Sequence, residues 1–445
     1  MQTDRPSFRF SRLKYLLPLV FASAAIAQDD AALKLTLRDA VSLALKQNPQ
    51  VILANLEVAR SEQERLIARS GLLPQAAGNA NLASHRINVE AALGIRFPGM
   101  SQHAGPFSTA QGGVSFQAPV FDLSLWRRYR GSQIGIDASQ AQEMSAREES
   151  VLLVVSQYLG AQRAAAEVQA AKSRLDLAET LYKQAVDVQA SGVGTGIDTL
   201  RANVQRQNER QRTIVAQTQL DTSLFALARL LNIDPARRVE LADAVTFFET
   251  PAIQVEQSLQ QAYAARPELR ELSARRRQLE LERRSAGEQR LPKLSVGGYW
   301  AQMGLTSSTL IPSYQYQATL DFPLFTGGRI QAQRAEADIR LRQLTQQVTD
   351  IRNRVALEVK TAAARLESAR SEVDVARLGV DLAKQEVEQA GDRFRAGVVN
   401  NVEVVTAQDE LARANDNEIA ALYRFNQARA DLAHATGQME ALYGK

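Results

Sequence analysis

The sequence predicts a mainly α-helical chain of very long antiparallel coiled-coil helices, interrupted by four β-strands that other copies of the chain must complete. Three observations carry this prediction. The 445 residues fall into two halves built on one plan. Each half contains a region of alternation, clearest in "YQYQATLDFPLFTGG" (Tyr314 to Gly328), where Tyr314, Tyr316, Ala318, Leu320 and Phe322 alternate with Gln315, Gln317, Thr319 and Asp321. Each such region then gives way to a charge-rich helical sequence of roughly seventy residues.

The chain begins with "RFSRLK", then the apolar run "YLLPLVFASAAIA" ending in Ala25-Ile26-Ala27. A basic head, a short apolar core and a small-residue end are the marks of a secretory signal peptide, with cleavage expected after Ala27. The run is shorter than the roughly 20 apolar residues a spanning helix needs. Arg5, Arg9, Arg12, Lys14 and Asp4 leave with it, which takes 53 basic and 49 acidic residues to 49 and 48. A nearly neutral mature chain gives no reason to expect a nucleic-acid partner. The densest basic run, "ARRRQLELERR" (Ala274 to Arg284), is interleaved with Glu280 and Glu282 at helical spacing, as on a solvated face. With no cysteine, disulfides, thiolate metal sites and lipoprotein acylation are excluded. His85, His103 and His434 are too scattered for a metal cluster, and His434, on a helix among Ala and Asp, reads as a coiled-coil surface residue.

The halves align by landmarks. Pro49 matches Pro267 and Pro74 matches Pro292, both 218 positions apart; Pro119 matches Pro323 at 204, and Gly192 matches Gly397 at 205. In each half a short helix comes first, opened in the first half by the capping-box-like pair Thr36 and Asp39. A second helix, the alternating region, the long helix, a Gly-containing turn and a return helix of about 30 residues follow. The predicted organisation is a signal peptide at 1–27, a first repeat at 28–231 (hairpin about 74–121, helical tip 191–197) and a linker or equatorial segment at 232–254. A second repeat at 255–437 (hairpin about 292–325, tip 396–401) and a tail at 438–445 complete it.

In the first half Val114, Phe116, Ala118 and Val120 oppose Gly113, Ser115 and Gln117, while Ala76, Ala80 and Leu82 oppose Gln75, Asn79 and Asn81. In the second, Leu294, Val296 and Trp300 oppose Lys293, Ser295 and Tyr299. Four strands of about 9–11 residues, apolar on one face and Gln, Ser, Thr or Asn on the other, fit the wall of a membrane barrel with a wet lumen. A soluble sandwich shares that alternation, but four strands are too few to bury its core. Four cannot close a membrane barrel either, and open edges are not tolerated in lipid, so the missing strands must come from other copies; three copies supply twelve. "IRFPGMSQHAGPF" (Ile95 to Phe107), an excess of the first hairpin over the second, reads as an exposed loop.

The helices carry a heptad seam: Val168, Ala171, Leu175, Ala178, Tyr182 and Ala185 in the first half, Ala407, Leu411, Ala414, Ala421, Phe425, Leu432 and Ala435 in the second. A helix from about Ser124 to Ala190 would be roughly 100 Å long, much too long for a compact domain.

With these residues in place, the chain resembles the outer-membrane efflux protein family, the TolC-like trimeric channel-tunnels, from about Thr36 to Gly437. The motifs are "TLRDAVSLALKQNPQ", "LLPQ" and "LPKLSVGG", "PVFD" and "PLFTGG", and the repeated tip "SGVGTGIDTLRA" and "RAGVVNNVEVVTA". The resemblance implies an α-helical barrel through the periplasm, joined to a twelve-stranded β-barrel to which each of three chains gives four transmembrane strands. Pro119, Pro323, Gly327 and Gly328 would then mark the junction between the two. It implies a homotrimer in outer-membrane lipid that exports drugs, toxic compounds or polypeptides passively, with a periplasmic adaptor and an inner-membrane pump as partners. The other reading is a secreted periplasmic coiled-coil scaffold or adaptor without a membrane barrel.

The resemblance also places candidate sites at the tips. Gly192, Val193 and Gly194, with Gly397, Val398 and Val399, would meet the adaptor or pump. Glu403 and Asp198, six residues beyond the tip glycines, stand where the family rings its pore with acids, and three copies of Glu403 would concentrate negative potential on one axis. By themselves both are first-turn acids, favoured by the helix dipole. The family often has a second acid one turn on; here Thr406 and Arg201 stand at those positions, and Val399 stands where some members have a basic latch. No catalytic constellation is found, and "GVGTG" lacks the Lys-Ser/Thr end of a phosphate-binding loop. The chain is therefore expected to be neither an enzyme nor a cofactor protein.

Overall fold

The computed structural model describes residues 33–95, 98–99, 101–192, 195–234, 237–243, 253–306, 308–396, 398 and 401–444. The proposed signal peptide lies outside them, as do Val193, Gly194, Gly397 and Val399. The first half runs β1 (Leu33–Leu35), α1 (Leu37–Gln47), α2 (Pro49–Ser70), β2 (Gln75–Asn88), α3 (Val89–Leu93), β3 (His103–Phe121), α4 (Leu123–Ala190) and α5 (Gly196–Leu230). After β4 (Val239–Leu241) the second half repeats it as α6 (Val255–Ala265), α7 (Pro267–Glu288), β5 (Lys293–Gly304), β6 (Ile311–Asp321), α8 (Arg329–Arg395) and α9 (Asn401–Ala435), closed by α10 (Met439–Tyr443).

Local chemistry sets these boundaries. Thr36 and Asp39 form a complete capping box at α1, each side chain bonding the other's backbone N–H, at 3.1 and 3.2 Å. Pro49 and Pro267 both occupy the first turn of the second helix of their half, where a missing N–H costs nothing. Asp122 caps α4 by accepting from the N–H groups of Ser124 and Leu125 at 2.9 and 3.2 Å. That helix then runs for 68 residues, about 100 Å, and stops where Gly192 takes φ +78°.

The four longer strands form one antiparallel sheet in the order β2-β3-β5-β6, so the two hairpins join through β3 and β5. Two cross-sheet rows, Ala76–Phe116–Gly298–Tyr316 and Gly78–Val114–Trp300–Tyr314, lie on one face. Gln75–Gln117–Gly297–Gln317 and Asn79–Gly113–Ala301–Ser313 lie on the other. The alternation seen in single strands is therefore in phase across all four. The apolar face is bare: Leu82, Val114, Trp300, Tyr314, Tyr316 and Leu320 are all exposed. On the polar face the sheet is crowded locally at Ala301, which is only 2% exposed beside Trp300 at 50%.

Gly113 fits that crowding. A Cβ there would meet the Ala301 Cβ and the Trp300 carbonyl oxygen at 2.5 Å, whereas at neighbouring Gly112 it would meet nothing within 4 Å. Gly113→Val is expected to disrupt the sheet, seen as loss of heat-modifiable migration in gels, while Gly112→Ala leaves it intact. Equal migration of the two would show that this approach does not constrain the sheet.

The structure departs from the sequence expectation in four places. β2 and β3 have 14 and 19 residues, longer than the 9–11 predicted, and β3 already starts at His103, so part of the expected Ile95–Phe107 loop is strand. His103 is accordingly a strand residue. The reason is pairing: β3 meets β5 only from Ala110 onward, so residues 103–109 pair with β2 alone and form an edge, where Pro106 is tolerated. A second, parallel pair of three-residue strands, β1 and β4, was not foreseen. Finally, His434 is half-buried rather than on the coiled-coil surface. Burial, then the Arg266 guanidinium nearby, hold its imidazole below the ordinary value.

The largest core sits at mid-height, where α1, α4, α5, α9 and α10 converge on the β1–β4 pair. Val151, Val154, Val155 and Tyr158 of α4 pack there with Val41, Leu227, Leu231, Val239 and Met439. The Tyr158 hydroxyl donates to Leu35 O at 2.9 Å and to the Asp243 carboxylate at 3.1 Å, tying α4 to β1 and to the segment just past β4. Burial, then the Asp243 charge, push this phenol well above its ordinary pKa. Towards the tips the helices pair along the predicted seam, with Val168, Ala171, Ala178, Ala407, Ala421 and Phe425 buried.

Candidate functional site

The tips of the two helical hairpins are built differently. In the first, the Gly192 N–H donates to Gln189 O at 3.0 Å and α5 starts four residues later. Asp198, in its first turn, accepts from the Thr195 hydroxyl at 2.5 Å. In the second, the N–H groups of Ala396 and Val398 donate to Asp392 O and Arg393 O at 2.9 and 3.0 Å, which winds down α8, and Val398 is exposed. Glu403, in the first turn of α9, receives the Arg393 guanidinium at 2.6 Å.

Asp198, Arg201 and Thr406 come together although they belong to different halves. They line one cleft of about 450 Å³ between α4, α5 and α9, walled by Leu177, Leu181, Val402 and Val405. The Thr406 hydroxyl is satisfied within its own helix, donating to Val402 O at 2.9 Å. Glu403 is not among the residues of that cleft. Its carboxylate is engaged across its own hairpin instead.

The cleft also contains a residue that sequence reasoning passed over. Glu209 is 2% exposed, held by Arg212 at 2.6 Å and Gln205 at 3.2 Å, with the Arg174 Nε at 3.8 Å. Arg174 continues to Asp416 of α9 at 2.9 Å, so this chain of charges fastens the two hairpins together below the tips. A buried, paired charge of this kind is by itself weak evidence for added stability. Glu209 falls seven residues from half-buried Ala202 and Ala216, but in sequence it reads as one more surface acid.

At the other end, Pro119 lies inside β3, and the ladder to β5 slips by one residue between it and Phe121. Asp122, which caps α4, also pairs with Lys293 at the start of β5 at 3.1 Å. Pro323 follows the end of β6 by two residues, and Gly327 and Gly328 turn the chain into α8 with φ +60° and +82°. L-residues with a Cβ rarely adopt such angles. Leu324 and Phe325, between them and the proline, are 92% and 90% exposed.

What these features offer chemically is electrostatics and surface for assembly. Among the described residues no group of three or more His, Cys, Asp or Glu side chains could hold a metal ion, and no helix is long and apolar enough to cross a membrane.

Comparison with known proteins agrees with this geometry. The model of the outer membrane efflux protein family matches residues 40–232 and 258–438, that is, both repeats. The alkaline protease secretion protein AprF of Pseudomonas aeruginosa is 23% identical over 440 residues, covering 96% of this chain and 90% of that protein. The Campylobacter jejuni outer membrane channel CmeC superposes with a TM-score of 0.78 at 18% identity, over 90% of this chain and 85% of that one. The outer membrane protein VceC of Vibrio cholerae gives 0.74 at 16% identity, over 90% and 96%. The family match over both repeats displaces the reading as a secreted scaffold or adaptor without a membrane barrel. The chain belongs to the outer membrane efflux protein family, and is an outer-membrane channel of an efflux or secretion system rather than an enzyme.

Proposed function

We propose that three copies of the chain close a twelve-stranded barrel in the outer membrane, continued through the periplasm by a tunnel of the paired helices. The duct is passive: a periplasmic adaptor and an inner-membrane pump supply the energy, and drugs, toxic compounds or polypeptides leave through the lumen. The observation that carries this reading is the four-stranded sheet. It has an apolar outer face, and its terminal strands β2 and β6 are left with unpaired edges. In hydrocarbon every unpaired backbone group costs several kcal/mol, so such a sheet is stable there only when the β6 edge of one copy meets the β2 edge of the next. The bare Leu324 and Phe325 at the end of β6 support a neighbouring chain at the same level.

In this reading Glu403, Asp198, Thr406 and Arg201 surround the periplasmic mouth. Gly192, Val193, Gly194, Gly397, Val398 and Val399 form the contact with adaptor or pump. Pro119, Pro323, Gly327 and Gly328 convert strand into helix at the membrane boundary. Light scattering of the mature protein purified from outer membranes in detergent is expected to give the mass of three chains. A monodisperse monomer with native secondary structure would end the proposal.

A further inference from the structure

The Arg393–Glu403 contact changes what the mouth presents. Arg393 is the third residue from the end of α8 and Glu403 the third residue of α9, so the pair closes across the turn of a single hairpin at 2.6 Å. Both side chains are partly exposed, at 56% and 38%. An exposed pair of this kind adds at most about 1 kcal/mol to stability, so holding the hairpin together is not its main effect. Its effect on the local field is larger. A bare carboxylate acts on an ion as a monopole, whereas a carboxylate in contact with a guanidinium acts as a dipole, whose potential falls off faster with distance. The first hairpin lacks this device: the position corresponding to Arg393, by the offset that relates the tip glycines, is Val188. Asp198 accepts instead from the neutral hydroxyl of Thr195.

We infer that Arg393 sets the ion selectivity of the duct, by converting the Glu403 ring at the mouth from an acidic ring into a ring of neutral pairs. The inference rests on the proposed placement of Glu403 at that mouth. Arg393 is a tuning residue acting through Glu403, and it need not touch the cargo. The wild-type channel then discriminates less between small cations and anions than a bare Glu403 ring would make it, and removing either partner exposes the charge of the other.

The test is the reversal potential of the reconstituted trimer in planar bilayers under a KCl gradient. Relative to wild type, Arg393→Gln should raise the cation-to-anion permeability ratio about twofold or more and Glu403→Gln should lower it similarly, both shifts shrinking in 1 M salt, where the Debye length is about 3 Å. The double variant should return to the wild-type ratio, and Arg393→Lys should keep it, which a purely structural role for Arg393 would not produce. If Glu403→Gln lowers the ratio while Arg393→Gln leaves it unchanged, the mouth placement stands and the tuning role is overturned. If neither substitution moves the ratio in channels that assemble as trimers, Glu403 is not at the mouth and the underlying placement fails. A wild-type ratio as strongly cation-selective as that of Arg393→Gln would equally overturn the inference.

Discussion

Phe425→Ala should be among the most destabilising single changes in the helical region, costing about 3–5 kcal/mol, the usual loss for truncating a fully buried aromatic ring. Phe425 is 0% exposed and fills the seam between α9 and α8 against Leu366, Ala369 and Val373. Its buried neighbours on α9 in that cluster, Ala421 and Ala428, are too small to fill the void, and Leu422 and Leu432 pack against it only partly buried. Thermal unfolding followed by circular dichroism in detergent should show a clearly lowered midpoint, with Phe425→Leu retaining most of the wild-type value. The helices dominate the far-ultraviolet signal, so the change reports on them. Identical midpoints for wild type and Phe425→Ala would mean that the seam closes around the gap.

A smaller but still clear loss is expected from Arg266→Ala. Arg266 precedes Pro267 in the second half as Asn48 precedes Pro49 in the first, and both reach the end of their own half's return helix. Asn48 donates to Leu230 O at 2.8 Å and caps α2 by accepting from the Gln50 N–H at 2.8 Å. Arg266, only 4% exposed, donates to His434 O at 3.0 Å and to Glu358 at 2.6 Å, with Glu268 at 3.2 Å. Removing the guanidinium strips a cation from the C-terminal end of α9 and leaves two carboxylates facing each other. Both carboxylates are about one-third exposed and regain water, which brings the expected loss down to about 2 kcal/mol, short of the fully buried limit. Arg266→Asn, which restores the arrangement of the first half, should lose less than Arg266→Ala in the same unfolding measurement. If both lose equally, the carbonyl contact contributes nothing and the carboxylates account for the whole effect.

The parts of this architecture that were legible in the sequence are those that repeat a period. Alternation in Tyr314–Leu320 and in Val114–Val120 marked the sheet, and the duplicated proline and glycine landmarks marked the two halves. The spacing of Val168, Ala171 and Ala178 marked the seam. Features of three residues carry no period, so β1 and β4 were invisible, although the main core forms around them. The start of β3 was hidden because Gly105-Pro106 reads as a breaker, and only the one-sided pairing of residues 103–109 explains why it is not one. The site was less legible than the fold. Glu403 was marked by its place after the tip glycine, but its partner lies ten positions back, across a turn, a separation that belongs to neither helical nor strand periodicity. Glu209 and Arg266 became visible only when helices distant in sequence were brought together.

The two hairpins match in reach as well as in plan. α4 and α8 have 68 and 67 residues, and α5 and α9 have 35 each. In a trimer the six tips would therefore end at one level, giving a rim of sixfold shape. The charges on that rim count differently, because Arg393 faces Glu403 on one hairpin and valine replaces it on the other. A docking protein that senses only contour would find six interchangeable footholds, whereas one that reads charge would find three and could settle in only three rotational settings.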